Sequence, residues 1–246
     1  MLSDRITPTN RFSNRPLYLQ LRDALAERIA GGNWKPGSAI PNESDLAREF
    51  GVSAGTMRKA LDMMEGERLL TRRQGRGTFV NDQTSDELAM RFSKLRAADG
   101  ARISGQIKHL EISEGKANEF ECKRLRLRSD DRVYRMNRVL HLDGKNFLFE
   151  EVSLPAALFP GLSEVGEGAE RIIGLAQEFG ILLGKAEERI SLSTASSTVA
   201  STLGVAPGSP ILLLDRVVMA LDGRPVEWRL GHCHLADNTY YLAEMV

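Results

Sequence analysis

Two cysteines in 246 residues, Cys122 and Cys233, are too few for a disulfide framework or a cysteine-based zinc site. Long apolar runs are missing too. No stretch approaches the roughly 18 residues of a membrane-spanning helix, and the opening MLSDRITPTN holds no hydrophobic signal core. A reducing, cytoplasmic setting is the expectation. Net charge is absent, with 33 Lys+Arg against 33 Asp+Glu, so the total alone predicts no polyanion partner. No glycine-rich phosphate loop, H-E-x-x-H or nucleophile–base pair in a familiar context occurs. That leaves no catalytic residue, metal or cofactor to nominate. What remains is 42% hydrophobic content, enough for ordinary cores in one large or two medium domains.

The zero total conceals an asymmetry. Residues 1–82 carry 13 Lys/Arg and 10 Asp/Glu, and residues 83–246 carry 20 and 23, so the parts stand at +3 and −3. Leu17, Leu21, Leu25 and Ile29 recur every four residues and predict a helix ended by Gly31 and Gly32. Asn42 is a good N-cap for a short second helix with Leu46, Ala47 and Phe50 inward, stopped by Gly51. Ser53 caps the next helix almost at once, and a three-residue link containing glycine is helix-turn-helix spacing. In the third helix Met57, Ala60, Leu61 and Met64 form the core stripe; Gly55, Arg58, Lys59 and Asp62 face away. A helix enters the major groove by its N-terminal end, where free N–H groups attract phosphate. Ala54 and Gly55 would let the backbone approach, and Arg58 would reach a guanine edge or a phosphate. The run TRRQGRGTFV, residues 71–80, then predicts a hairpin: Gly75 and Gly77 supply a tight reversal, and Arg72, Arg73 and Arg76 project from its tip. Together these elements read as a winged helix-turn-helix.

The combination of PLY, PxxxLA, FGVS, TxRKAL and RRQGRGTFV across residues 16–80 resembles the DNA-binding domain of the GntR family of bacterial transcription regulators. The resemblance implies a homodimer on a near-palindromic double-stranded DNA operator. It places DNA contacts at Ser44, Ser53, Ala54, Gly55, Thr56, Arg58, Gln74 and Gly75, with Lys59, Arg72, Arg73 and Arg76 alongside. Many members have arginine where this chain has Ser44 and Ala54, which shifts the expected load onto Arg58 and the wing.

NDQTSDELAM, residues 81–90, is polar, lacks apolar periodicity and reads as a linker that turns helical near Leu88. Beyond it one layout occurs twice: a helical segment, a polar turn, then two β runs around a D-G pair, first at Asp143-Gly144 and then at Asp222-Gly223. Each copy has an arginine before its turn (Arg138, Arg216) and a glutamate after it (Glu150, Glu227). ERIIGLAQEFGI between the copies predicts an amphipathic helix closed by Gly180.

RVLHLDG, EEVSLPAALFPGL, LGVAPGSPILLLDR and DGRPVEW resemble the UTRA ligand-binding domain of the HutC subfamily over roughly residues 88–246. The implied whole is an α+β protein. A winged helix-turn-helix spans 12–80 and a linker 81–90. An antiparallel-sheet, chorismate-lyase-like UTRA domain over 91–246 binds a small-molecule metabolite effector and dimerises. By position the effector would meet Arg138, Glu150, Glu170, Glu227 and Tyr240. Arg138 matches the first arginine of an R-x-R clamp whose second position is Leu140, and Glu170 stands where sugar-phosphate binders tend to have serine. One cation fewer and one carboxylate more disfavour a phosphate. The other reading of Arg138, Glu150 and Arg216 is cross-strand ion pairing.

His232 and His234 flank Cys233 and on a strand would share a face, but with only His109 and His141 elsewhere a metal site lacks ligands. Two further readings stay open: a lyase-like enzyme domain tethered to DNA, separable by turnover, and a constitutive DNA binder that no metabolite stabilises.

Overall fold

The computed structural model describes residues 15–82, 92–103, 106–142, 144–164, 172–235 and 239–243. The chain divides into two compact units, Met1–Ser85 and Asp86–Val246.

The first unit contains α1 (Leu17–Ala30), α2 (Glu43–Phe50), α3 (Ala54–Gly66) and the strands β1 (Leu70–Arg73) and β2 (Gly77–Val80). Both ends of α2 and the start of α3 have a local chemical cause. The Asn42 side chain accepts from the Asp45 N–H at the start of α2, and Gly51 ends it at φ 66°. Ser53 does the same for α3 through the Thr56 N–H, each cap contributing about 1 kcal/mol. Met57, Ala60, Leu61 and Met64 are all buried, packed in a unit whose core includes Leu21, Leu25, Leu46, Leu70 and Val80. The α1 stripe is only half used: Leu21 and Leu25 are fully buried, but Leu17 is 46% exposed. A four-residue step overshoots the 3.6-residue turn by about 40°, so a run of such steps rotates off the core-facing side. β1 and β2 pair antiparallel from Leu70↔Val80 to Arg73↔Gly77, and Ala39 bridges Phe79 as a third edge. Gly75 (φ 70°) and Gly77 (φ 108°) make the reversal that a residue with a Cβ resists.

The second unit is built on one sheet. In chain order it runs β3 (Leu95–Arg96), β4 (Gln106–Lys116), α4 (Glu119–Leu125), β5 (Arg132–Leu142), β6 (Lys145–Pro155), two 3₁₀ turns, α5 (Ile172–Glu178), β7 (Leu183–Thr194), α6 (Ser197–Leu203), β8 (Pro210–Ala220), β9 (Pro225–Cys233) and β10 (Tyr240–Tyr241). The strand order β4-β5-β6-β9-β8-β7 makes the sequence duplication visible. Strand, capped helix and hairpin occur twice, and the two hairpins meet at the central β6–β9 pair, Leu148↔Cys233 to Ser153↔Trp228. Asn118 caps α4 in a full capping box with Glu121, and Ser196 caps α6. Both hairpins also slip by a residue near their turns, at Leu140/His141 and Val218/Met219.

Strand alternation sorts the two sheet faces. One carries Val139, Phe149 and Ile211 against Val199, Ala200 and Leu203 of α6. The other carries two apolar clusters. Tyr134, Met136, Val152 and Val218 pack with Phe159, Leu162 and Leu175 at one end; Leu148, Leu214 and Cys233 pack with Leu95 and Ile103 at the other. Between them lies a band of charge. The sequence expectations at Leu88, Asp143 and Glu170 fall outside the described residues.

Candidate functional site

In the first unit the exposed residues named from the sequence fall on the first turn of α2, the N-terminal half of α3 and the wing. Ser44, Ser53, Ala54, Gly55, Arg58 and Lys59 are exposed, as are Arg72, Arg73, Gln74, Gly75 and Arg76; Thr56 is half-buried. A Cβ on Gly55 would meet no heavy atom within 4 Å beyond its own turn of helix, so packing within the chain does not require glycine there. Ser53 and Thr56 pair hydroxyl to hydroxyl at 2.8 Å.

The cations are less free than the sequence implies. Arg58 donates from Nε to both Glu43 oxygens at 3.1 Å and from Nη2 to Oε1 at 2.8 Å. The hydrogen bond to Glu43 holds its guanidinium above the ordinary arginine range. Arg72 reaches back to α3, 2.5 Å from Asp62 and 3.0 Å from Glu65, and its N–H also donates to Glu65. The Arg73 guanidinium lies 4.7 Å from the Phe79 ring centre, and Lys59 sits 3.9 Å over Tyr18. Arg76 stands exposed at the tip. The wing's cations thus differ in availability: Arg72 is latched to the helix and Arg76 is presented outward.

In the second unit the charged band holds three arginines and three glutamates, Arg138, Arg216, Arg229, Glu150, Glu188 and Glu227. Arg138, Arg216, Glu150 and Glu227 are all buried. Arg138 faces Glu150 directly across β5–β6, with Nε 3.1 Å from Oε2, and reaches Glu227 at 3.5 Å. Arg229 approaches the other Glu150 oxygen at 2.5 Å. Arg216 lies 2.8 Å from Glu188, its cross-strand neighbour, and the Tyr241 hydroxyl donates to the second Glu188 oxygen.

Several contacts are close in distance yet misaligned. Arg138 Nε, Arg229 Nε, Glu150 Oε1 and Glu227 Oε1 are buried without a hydrogen bond. Burial alone pushes the Glu150 carboxyl up, but Arg229, Arg138 and Arg216 together outweigh it and hold it below its usual range. Desolvation, with Arg229 alongside, pulls Arg216 below the usual arginine value. Burial, reinforced by the Glu150 and Glu188 carboxylates, pushes the neighbouring Cys233 thiol up to about 12, so it is an inert packing residue.

The two repeats do not use their charges in parallel. Each has an arginine before and a glutamate after its turn, but only the first copy sets them opposite one another. In the second copy Arg216 faces Arg229, and Glu227 faces Val218. Arg229 and Glu188 therefore belong to the band although the D-G spacing does not reveal them. A signal was present in the alternation: Arg229 stands two residues after Glu227 on the same face. Tyr240 is 39% exposed in a short pair with Arg96, and its neighbour Tyr241 touches the band. Leu140 packs at the edge of the apolar cluster beyond Arg138. His232 stacks on Phe149 and pairs with Glu151 at 2.9 Å, and among the described residues no His/Cys/Asp/Glu group could hold a metal. No described helix is long and apolar enough to cross a membrane.

Residues 17–80 match the family described as bacterial regulatory proteins, gntR family. Residues 102–237, more than half of the chain, match the UTRA domain. The mannosyl-D-glycerate transport/metabolism system repressor MngR of Escherichia coli K12 is 29% identical over 231 residues, covering 93% of this chain and 96% of the relative. Among solved structures, the ligand-binding domain of a protein assigned to the GntR regulators from Bordetella bronchiseptica aligns with TM-score 0.57 at 28% identity, over 63% of this chain and 98% of that one. PhnF of Mycobacterium smegmatis shares the fold across 94% of this chain and 99% of its own, with TM-score 0.54 at 24% identity. With both family models matched in one chain, the chain belongs to the GntR family of DNA-binding transcription regulators that carry a UTRA ligand-binding domain.

Proposed function

We propose that this regulator is a repressor of the HutC type that binds a near-palindromic operator as a homodimer and is released by a metabolite seated on the charge band. The boundaries we assign are 12–80 for the DNA-binding domain, 81–90 for the linker and 91–246 for effector binding and dimerisation. Each dimer head presents the N-terminal end of α3 to the major groove and the wing to the flanking phosphates. Arg58 supplies base readout, while Arg76 and the backbone around Gly75 supply position. Release requires the effector to prefer one arrangement of the heads over another, since equal affinity for both shifts nothing. The chain acts by binding in the cytoplasm and not by turnover.

The observation that carries the effector reading is a pair of unsatisfied groups two positions apart on β9: Glu227 Oε1, a buried carboxylate oxygen without a hydrogen-bond donor, and Arg229 Nε, a buried donor without an acceptor. An effector offering both a donor and an acceptor satisfies both groups. The balance of three guanidinium groups against three carboxylates selects further. A phosphate dianion would leave the band two charges in deficit, so we assign a non-phosphorylated, hydroxyl-rich or zwitterionic metabolite. The glycoside in the name of the E. coli relative, mannosyl-D-glycerate, offers hydroxyls of that kind, although its carboxylate would leave the band one charge in deficit, against two for a phosphate dianion.

The test is a thermal-shift screen of phosphorylated and non-phosphorylated metabolites, with each hit retested for release of bound DNA. Stabilisation by hits that also release DNA, lost in Arg138→Lys while DNA binding persists, is the expected pattern. A hit consumed during the assay would instead establish an enzyme. Stabilisation confined to phosphorylated compounds would contradict the effector class.

A further inference from the structure

We infer that Glu43 is a specificity-determining positioning residue: it holds the Arg58 guanidinium as a fixed fork for base recognition and suppresses its use as a free phosphate-binding cation. The inference rests on the reading that α3 meets the operator by its N-terminal end.

Glu43 opens α2 and Arg58 lies on the exposed face of α3, 15 positions later, so the contact spans the turn of the motif. Three N–H···O contacts join them, two from Nε and one from Nη2. The Glu43 side chain is 25% exposed and that of Arg58 is 65% exposed. The carboxylate is therefore recessed beneath a guanidinium that still presents its outer edge. With Nε and Nη2 engaged from behind, Nη1 and the remaining Nη2 hydrogen point outward. An arginine held in this way retains few orientations, so less freedom is lost when it meets the acceptors O6 and N7 of guanine.

The carboxylate acts a second time through its charge. Beside the guanidinium it cancels most of the attraction a lone cation would feel for any phosphate, the sequence-independent part of DNA binding. Affinity for random duplex falls, and a base edge that completes the bidentate pattern is favoured over a passing phosphate. Arg72 is treated similarly by Asp62 and Glu65, which leaves Arg76 as the more available cation of the wing.

A simple helix clamp would use the same contacts, so the test must read selectivity. A randomised duplex library is selected separately with the full-length wild type, Glu43→Gln, Glu43→Ala and Arg58→Ala, and salt titrations follow on the recovered consensus and on a scrambled duplex. Glu43→Gln keeps the shape and one acceptor but loses the charge, and thermal melting of each variant monitors folding. The wild type is expected to enrich a motif with one strongly specified base pair per half-site that vanishes in Arg58→Ala. Both Glu43 variants should degrade that same position and lower the consensus-to-scrambled ratio about fivefold or more, the low end of a lost bidentate contact. Their affinity for the scrambled duplex should rise, with a slope in log salt steeper by up to about 0.9 per head. Folded Glu43 variants that recover the wild-type motif, ratio and slope would overturn the inference. A wild type that enriches no motif would overturn the DNA-reading itself, a different failure from an unaltered Glu43 variant.

Discussion

Replacing Arg138 with methionine probes whether the charge band is an internally compensated network. The arginine is 3% exposed and serves two carboxylates, Glu150 at 3.1 Å and Glu227 at 3.5 Å. Methionine restores much of the volume but none of the charge. Glu150 retains Arg229 at 2.5 Å, whereas Glu227 loses its close cation and stays buried. Removing one partner of a buried pair costs about 3–5 kcal/mol, because the remaining charge is left uncompensated. At about 2–4 °C per kcal/mol for a unit of this size, the unfolding midpoint should fall by roughly 6–20 °C at pH 7. Trp228, whose Nε1 donates to Asp215 at 2.9 Å, reports on the second unit, and a Trp34→Phe background makes its fluorescence the only indole signal. Adding Glu227→Gln should recover part of the loss. A single mutant that melts within about 2 °C of the parent, with no recovery in the double mutant, would refute the reasoning, because it would place the loss among ordinary surface changes.

Arg76→Ala should lower affinity for all duplexes and reduce the salt slope by about 0.9 per head, while Arg72→Ala, already neutralised by Asp62 and Glu65, should change it less; equal effects would contradict the division of labour within the wing. Gly55→Ala meets no atom within 4 Å and should stabilise α3 by about 0.5–1 kcal/mol, yet weaken operator binding if the backbone approaches DNA there. Unchanged binding in an electrophoretic shift would reduce Gly55 to a tolerated helix glycine. Acid should destabilise the second unit. Arginine neighbours outweigh burial to lower the Glu150 carboxyl, and the His232 hydrogen bond lowers that of Glu151 despite burial. Carboxyls lowered in the folded state contribute fully above their unfolded value of about 4.3 and lose that contribution as pH falls through the folded value. The Trp228-monitored midpoint should therefore hold between neutral pH and about 5, then drop. A midpoint that rises on acidification below 4.3 would reverse the sign.

The local features of the first unit were legible because each depends on neighbours in sequence. Asn42, Gly51 and Ser53 announce their roles within three or four residues, and the Met57–Met64 stripe follows from helical period alone. The wing was legible from Gly75 and Gly77. What the sequence concealed was pairing across elements. Nothing in the spacing ties Arg58 to Glu43 or Arg72 to Asp62, because those contacts depend on how α2, α3 and the hairpin pack. In the second unit the duplicated layout was visible, as were Arg138 and Glu150. Arg229 and Glu188 were not, because register decides which residues join them. Arg216, read as a cross-strand ion-pair residue, does form such a pair with Glu188, while the register also sets it opposite Arg229. Tyr241 enters for the same reason: neighbours in a chain end on different sides of a strand.

The most direct measurement is a footprint of the purified full-length chain on promoter fragments from its source genome, repeated across a metabolite panel. The account predicts protection of two half-sites related by a twofold axis and about one helical turn apart, with protection lifted by a non-phosphorylated effector. Protection of a single unpaired half-site, or none on any fragment, would contradict it.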